Sequence, residues 1–403
     1  MLERMNPVPM TARAAAAEAA YAYTDAAGTF PAPGAGWLSE ILERWNSEGK
    51  LNIFDQKIHA ATAASDDAVG AATHGILRGG DYGTVFTSPE GLVNMVSSVG
   101  RIGAEQLPAV WHVPGGDDDE PLCTRREWAC AGLAMQVFPV VLSSAAAQSA
   151  YDIGLLAHLT AMSENIPVLH LFADTPERPV SIHSLEGHKQ LADWDAIRAF
   201  RRRALLPEHP GSSMQFMDRT PPAAPAALLK TLARLSGRLA PEDGLPLWVY
   251  EGSPDARRVL AVPAHLALAL ERWLKEDTTV GVLKMRLLWP LDADAIRKVL
   301  PETVEQLEVL EVGTPGDRPF LYPAVAAALA GEGLQVTPWY LARAEVPGRW
   351  QSPMSLRESA DVSRCGSCAA RACLKLLTDT LAERLVLTAT PGCAASQLEL
   401  PDT

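Results

Sequence analysis

Four of the six cysteines, Cys365, Cys368, Cys373 and Cys393, lie in the last tenth of a 403-residue chain, spaced as Cys-x2-Cys-x4-Cys-x19-Cys. Thiolates in such a run are soft, electron-rich ligands, suited to an iron–sulfur cluster or to tetrahedral zinc. Two ligand sets are open. In one, Cys365, Cys368 and Cys393 bind, and a second polypeptide supplies the fourth ligand. In the other, Cys373, one turn into a helix that starts near Ala369, closes the set. Buried, idle thiols are the third alternative. Elsewhere, Asp66 and Asp67 follow Ser65 at the start of a helix, where negative charge complements the helix dipole. The run Asp117-Asp118-Asp119-Glu120 reads as a solvated acidic loop. The Pro31–Gly36 loop reads as a tight connection or as a ligand contact through backbone amides. His74 reads as a packed histidine, and His158, His170, His183 and His188 show no metal spacing and no paired nucleophile. The chain has no Gly-x-Ser-x-Gly and no P-loop sequence, which leaves hydrolase and P-loop readings without support.

The composition bounds what can hold these groups. With 48% hydrophobic and 21% charged residues the chain is globular, and its length allows two or three domains. A net charge of −13 argues against nucleic acid as the main partner, because phosphate needs a cationic surface. No apolar run reaches the ~20 residues of a membrane span. No signal peptide is expected from Met1-Leu2-Glu3-Arg4, so the thiols are expected to be reduced, in the cytoplasm.

Positioning these residues requires alternating strands and helices. Residues 10–25 read as an Ala-rich helix, and Leu38–Trp45, Asp66–Leu77 and Leu92–Ile102 as further helices. The runs 84–87, 109–113, 137–142 and 168–172 read as strands, and 145–163 as a helix. After a Pro-, Ser- and Met-rich excursion at 211–226 a second unit follows, with strands near 247–250, 259–262, 280–283 and 306–312. Helices at 264–275, 292–300 and 324–330 accompany them. A polar connector, 344–361, leads to the cysteine segment. Short apolar strands alternating with helices predict a parallel sheet covered on both faces.

Several stretches, in this order, resemble the pyruvate:ferredoxin/flavodoxin oxidoreductase family. They are Leu51-Asn52-Ile53-Phe54, Gly70-Ala71-Ala72-Thr73-His74-Gly75, Phe86-Thr87-Ser88-Pro89-Glu90-Gly91-Leu92 and Pro108-Ala109-Val110-Trp111-His112-Val113. Gly252-Ser253-Pro254-Asp255-Ala256, Val282-Leu283-Lys284-Met285-Arg286-Leu287, Cys365-x-x-Cys368 and Gly392-Cys393 continue the series. The resemblance implies an α/β protein. Residues 1–245 would form a parallel-sheet, thiamine-fold pyrimidine-binding domain, and 246–345 a smaller α/β domain. Residues 346–403 would be a connector with a partial cluster-binding, cysteine-bearing tail. It implies thiamine diphosphate shared with a partner, and a 4Fe-4S cluster on Cys365, Cys368 and Cys393, with Cys373 as a further ligand and zinc as the alternative metal. The family's aminopyrimidine-binding glutamate aligns with Asp66, one methylene shorter. Its substrate-side threonine, in a Tyr-Pro-Ile-Thr-Pro loop, aligns with Pro33 in Phe30-Pro31-Ala32-Pro33-Gly34. Its substrate-carboxylate arginine falls in Pro114–Glu120, where Arg125 and Arg126 are the nearest cations.

The diphosphate-binding Gly-Asp-Gly segment, the ferredoxin-type cysteine run and the family's γ-type domain are absent from the sequence. The implied function is therefore that of a subunit of a 2-oxoacid, pyruvate-like, oxidoreductase that is not active alone. It would supply the aminopyrimidine side of the site. A partner subunit would bring the diphosphate–Mg²⁺ half and further clusters, with ferredoxin or flavodoxin as acceptor. The alternative is a catalytically inactive relative acting as a structural or regulatory partner.

Overall fold

The computed structural model describes residues 4–29, 37–115, 125–205, 225–239, 245–274, 280–329 and 333–341. The chain divides into Met1–Ala342 and Arg343–Thr403. The second unit lies outside the described residues, and so do Pro33 and the acidic run 117–120.

The first part of the chain carries β1 (Val8–Met10), α1 (Ala12–Tyr23), β2 (Ala26–Thr29), α2 (Trp37–Ser47), β3 (His59–Thr62), α3 (Asp66–Arg78), β4 (Gly83–Phe86), α4 (Pro89–Asn94), α5 (Val96–Ala104) and β5 (Ala109–Pro114). It continues through α6 (Arg125–Met135), β6 (Val140–Ser144), α7 (Ala147–Glu164), β7 (Pro167–Phe172), β8 (Arg178–Val180), α8 (Leu185–Leu191), α9 (Trp194–Leu205) and α10 (Pro225–Leu239). Then come β9 (Trp248–Glu251), β10 (Arg258–Pro263), α11 (Ala264–Leu274), β11 (Val280–Met285), β12 (Leu287–Trp289), α12 (Ala293–Val299), β13 (Gln306–Val312), α13 (Leu321–Leu329) and β14 (Gln335–Leu341).

The strands form a seven-stranded sheet, β12-β6-β7-β5-β4-β2-β3, a five-stranded sheet, β14-β13-β10-β11-β9, and a small β1-β8 ribbon. In the large sheet only β12 runs antiparallel to its neighbour, and in the smaller only β9. This is the α/β architecture that the alternating pattern predicts. Strands β5 and β7, apolar but for His112 and His170, are buried almost throughout, as central strands are when helices cover both faces. No described helix is long and apolar enough to cross a membrane.

Three elements differ from the sequence reading in ways that matter. The first helix ends at Tyr23, and Ala26-Ala27-Gly28-Thr29 forms a central strand, β2. Ala26, Ala27 and Gly28 lack β-branched bulk, and α3 presses onto the strand: a Cβ at Gly28 would lie 2.9 Å from both Val69 Cγ1 and Thr73 Oγ1. The helix expected over 92–102 breaks at Met95 into α4 and α5. Leu287–Trp289 leaves the smaller sheet to join β6, and Ser143 N–H donates to Arg286 O across 2.7 Å at that crossing.

Candidate functional site

β2 and β4 are hydrogen-bonded neighbours, but the chain leaves them in opposite directions, from β2 to β3 and from β4 to β5. In an open α/β sheet such a switch point opens a crevice beyond the strands' carboxyl ends. At this one β2 ends at Thr29 and β4 at Phe86, with Thr87 next in the chain. α3 enters the same place with Asp66 as its first residue, its N-terminus closed by the Ser65 side chain accepting from Ala68 N–H. Thr87 N–H donates to His112 O of β5 at 3.2 Å, and Thr87 Oγ1 donates to Asp66 Oδ1 at 3.3 Å. The half-buried Asp66 has no other partner among the described residues. Gly91 in α4 is required there: a Cβ would meet Thr87 Oγ1 at 2.2 Å and Asp66 Oδ1 at 2.5 Å. Thr29 is fully buried, and its hydroxyl has no hydrogen-bond partner among the described residues. A buried hydroxyl left unpaired costs about 1–3 kcal/mol.

The opposite face of the sheet carries a second constellation. Side chains alternate along a strand, so Phe86, His112 and His170, which are register partners across β4, β5 and β7, share the face covered by α7. Phe86 stacks on His112 with ring centres 4.7 Å apart. His112 Nδ1 lies 2.9 Å from His170 Nδ1, and His112 Nε2 lies 3.1 Å from His158 Nε2 on α7. His170 Nε2 lies 2.8 Å from Ser144 Oγ at the end of β6. Gly154 lets α7 pack closely on α1, where a Cβ would sit 3.1 Å from Ala19 Cβ. Burial holds the His158 and His170 imidazoles down to about 3 and His112 well below its ordinary value, so all three are neutral. Beside them Tyr151 Oη lies 3.2 Å from His188 Nε2, and His188 Nδ1 lies 3.3 Å from Tyr23 Oη. Burial pushes both phenols up, so they stay protonated.

Two further contacts tie the two sheets together. Ser143 Oγ accepts from His265 N–H at 2.9 Å and lies 2.8 Å from His265 Nδ1. Glu311 Oε1 accepts the N–H groups of Phe320, Leu321 and Tyr322 at the start of α13, while Oε2 accepts Trp128 Nε1–H at 2.9 Å.

Of the residues singled out in the sequence, Asp66 stands at the switch point, and Arg125 and Arg126 open α6. Pro33, Cys365, Cys368, Cys373 and Cys393 lie outside the described residues. His74 lies beside Glu105, Nε2 to Oε2 at 3.0 Å, without hydrogen-bond geometry at that nitrogen. Among the described residues no group of His, Cys, Asp and Glu could hold a metal. The sequence reading missed Thr29 and the His112 string. For Thr29 the only signal was a threonine just before Phe30-Pro31. For the string it was three histidines on apolar segments.

The profile of a family described as "Pyruvate flavodoxin/ferredoxin oxidoreductase, thiamine diP-bdg" matches residues 18–229. The pyruvate:ferredoxin oxidoreductase of Moorella thermoacetica is 31% identical over 360 residues, covering 80% of this chain and 29% of that protein. A pyruvate-flavodoxin oxidoreductase of Enterobacter agglomerans is 27% identical, covering 75% and 27%. One from Nostoc sp. is 27% identical, covering 80% and 85%. The chain thus spans less than a third of the length of the first two relatives. Among solved structures, the 2-oxoglutarate:ferredoxin oxidoreductase from Magnetococcus marinus shares the fold, with a TM-score of 0.55 at 15% identity over 84% of this chain and 62% of that one.

Proposed function

The chain belongs to the pyruvate flavodoxin/ferredoxin oxidoreductase family through its thiamine-diphosphate-binding domain, and we propose that it supplies the aminopyrimidine half of a thiamine diphosphate site in a 2-oxoacid oxidoreductase of several subunits. The observation that carries this reading is the Asp66–Thr87 pair at the carboxyl ends of β2 and β4. The residues present fit an aminopyrimidine. Asp66 Oδ2 has no partner among the described residues, and Gly91 keeps the first turn of α4 clear of a side chain.

Asp66 would hold a proton between its carboxylate and the pyrimidine ring nitrogen. Thr87 orients that carboxylate and leaves Oδ2 for the ring. Thiamine diphosphate, when bound, supplies the carbanion that attacks a 2-oxoacid carbonyl and the electron sink that follows loss of CO2. The Pro33 loop would border the ring. A partner would bring the diphosphate–Mg²⁺ half. Cys365, Cys368 and Cys393, with Cys373 or a partner's ligand, would hold a 4Fe-4S cluster, zinc being the alternative, for onward transfer to ferredoxin or flavodoxin. A second reading, an inactive relative retained as an assembly partner, is favoured by Pro33 standing where a hydroxyl would sit and by the acidic run after Gly116.

Anaerobic purification of the tagged chain from its native host tests this. The expected product is a complex that contains thiamine diphosphate, absorbs broadly in the visible, bleaches with dithionite and reduces a viologen on addition of pyruvate. A colourless, zinc-bearing complex without thiamine diphosphate contradicts the first reading and supports the second.

A further inference from the structure

We propose that Ser144, His170, His112 and His158 form a proton relay that crosses the large sheet from the carboxyl end of β6 to α7 and works by concerted exchange of imidazole tautomers. The proposal rests on the hydrogen bonds of the string and is independent of any cofactor.

Each neutral imidazole has one N–H and one lone pair. With His112 bonded through both nitrogens, the string has two self-consistent polarities. In the first, Ser144 O–H donates to His170 Nε2, His170 Nδ1–H to His112 Nδ1, and His112 Nε2–H to His158 Nε2, leaving a hydrogen on His158 Nδ1. In the second every bond is reversed: His158 Nε2–H donates to His112 Nε2, His112 Nδ1–H to His170 Nδ1, and His170 Nε2–H to Ser144 Oγ. Each polarity leaves one donor outside the string, His158 Nδ1–H in the first and the Ser144 hydroxyl in the second.

Passing from the first to the second moves three protons one hydrogen bond each. Ser144 takes a replacement proton from a water or acid at its end, and His158 Nδ1 releases one to a base at the other. No imidazole becomes charged, as its burial demands, and the net transfer is one proton in and one out.

The neighbouring tyrosine string is a built-in contrast. Tyr151 Oη already accepts His183 N–H at 2.7 Å, so its own hydrogen goes to His188 Nε2. His188 Nδ1–H then donates to Tyr23 Oη, whose hydrogen goes to His188 O at 3.2 Å. That string satisfies every group in one polarity alone, whereas the histidine string has two.

Nitrogen-15 NMR of the full chain labelled at histidine reads the tautomers directly. His112 is expected to show the tautomer opposite to His158 and His170, with both polarities populated in equal ratio at all three sites, while His188 is fixed as Nδ1–H. Ser144→Ala removes the acceptor needed in the second polarity. It should drive His158, three hydrogen bonds away, to the Nδ1–H form, leave His188 unchanged, and be reversed by Ser144→Thr. The relay is overturned if the wild-type string is frozen in one polarity, if His112 shares a neighbour's tautomer, or if His158 ignores Ser144→Ala. Should that variant not fold, judged by loss of the His188 signal, Ser144→Cys, a weak donor, serves in its place with the same expected shift at His158.

Discussion

Thr87 donates its hydroxyl hydrogen to Asp66 Oδ1 over 3.3 Å, joining the end of β4 to the first residue of α3 where the sheet changes direction. One oxygen of the carboxylate is thereby fixed and the other is left for a ligand. In the complex, Asp66→Ala is expected to lower 2-oxoacid turnover on the order of 100-fold or more, the range of a lost acid/base contact. Thr87→Val should lower it about tenfold, the worth of one hydrogen bond to a charged group. Steady-state rates alongside thermal melts check this. Unchanged turnover in Asp66→Ala removes Asp66 from the site.

Thr29 carries a buried hydroxyl unpaired among the described residues. Thr29→Val keeps the shape and removes the polar atom. The isolated chain should gain about 1 kcal/mol in denaturant melts. A loss of stability in the isolated chain would show the hydroxyl to be satisfied without a ligand.

Gly28 is held at the contact between β2 and α3, with Val69 and Thr73 each 2.9 Å from where a Cβ would lie. Gly28→Ala should cost about 1–3 kcal/mol as overpacking, read as a lower urea midpoint. A neutral change would mean that α3 moves freely on β2.

How far the sequence carried the reading follows from the same residues. β5 and β7 were legible because Ala109–Val113 and Val168–Phe172 are apolar runs whose burial on two faces needs no alternation. Asp66 was singled out because the family's aminopyrimidine-binding glutamate aligns with it, and its place at the start of a helix was legible from the paired carboxylates there. β2 was hidden because close packing by α3 selects Ala and Gly, the residues with least strand signature. The crossing of Leu287–Trp289 to β6 was hidden because strand pairing between distant segments leaves no local mark. His112, His158 and His170 were visible singly, but their contact depends on the β5–β7 register and on α7 packing across that face. The cysteine segment lies outside the described residues, so its reading rests on spacing and resemblance.

His265 reaches Ser143 across the junction of the two sheets, and burial lowers its imidazole to about 3 from an ordinary 6.5. Between those values the unfolded chain binds the proton and the folded chain does not, so this group's contribution to stability is complete above pH 6.5 and is lost as the pH falls toward 3. The stability difference between wild type and His265→Asn should therefore rise with pH through that window, by up to about 1.4 kcal/mol per pH unit, and level off above it. Denaturant melts at a series of pH values measure it. A difference independent of pH would show that the imidazole is protonated in the fold.

The central claim is that this polypeptide is one half of a cofactor cavity. Calorimetric titration of thiamine diphosphate with Mg²⁺ into the chain alone, and into the complex purified from native cells and stripped of cofactor, tests it most directly. Saturable binding by the complex, abolished by Asp66→Ala, and none by the chain alone is the expected result. Tight binding by the isolated chain, or binding by the complex that is indifferent to Asp66→Ala, would contradict it.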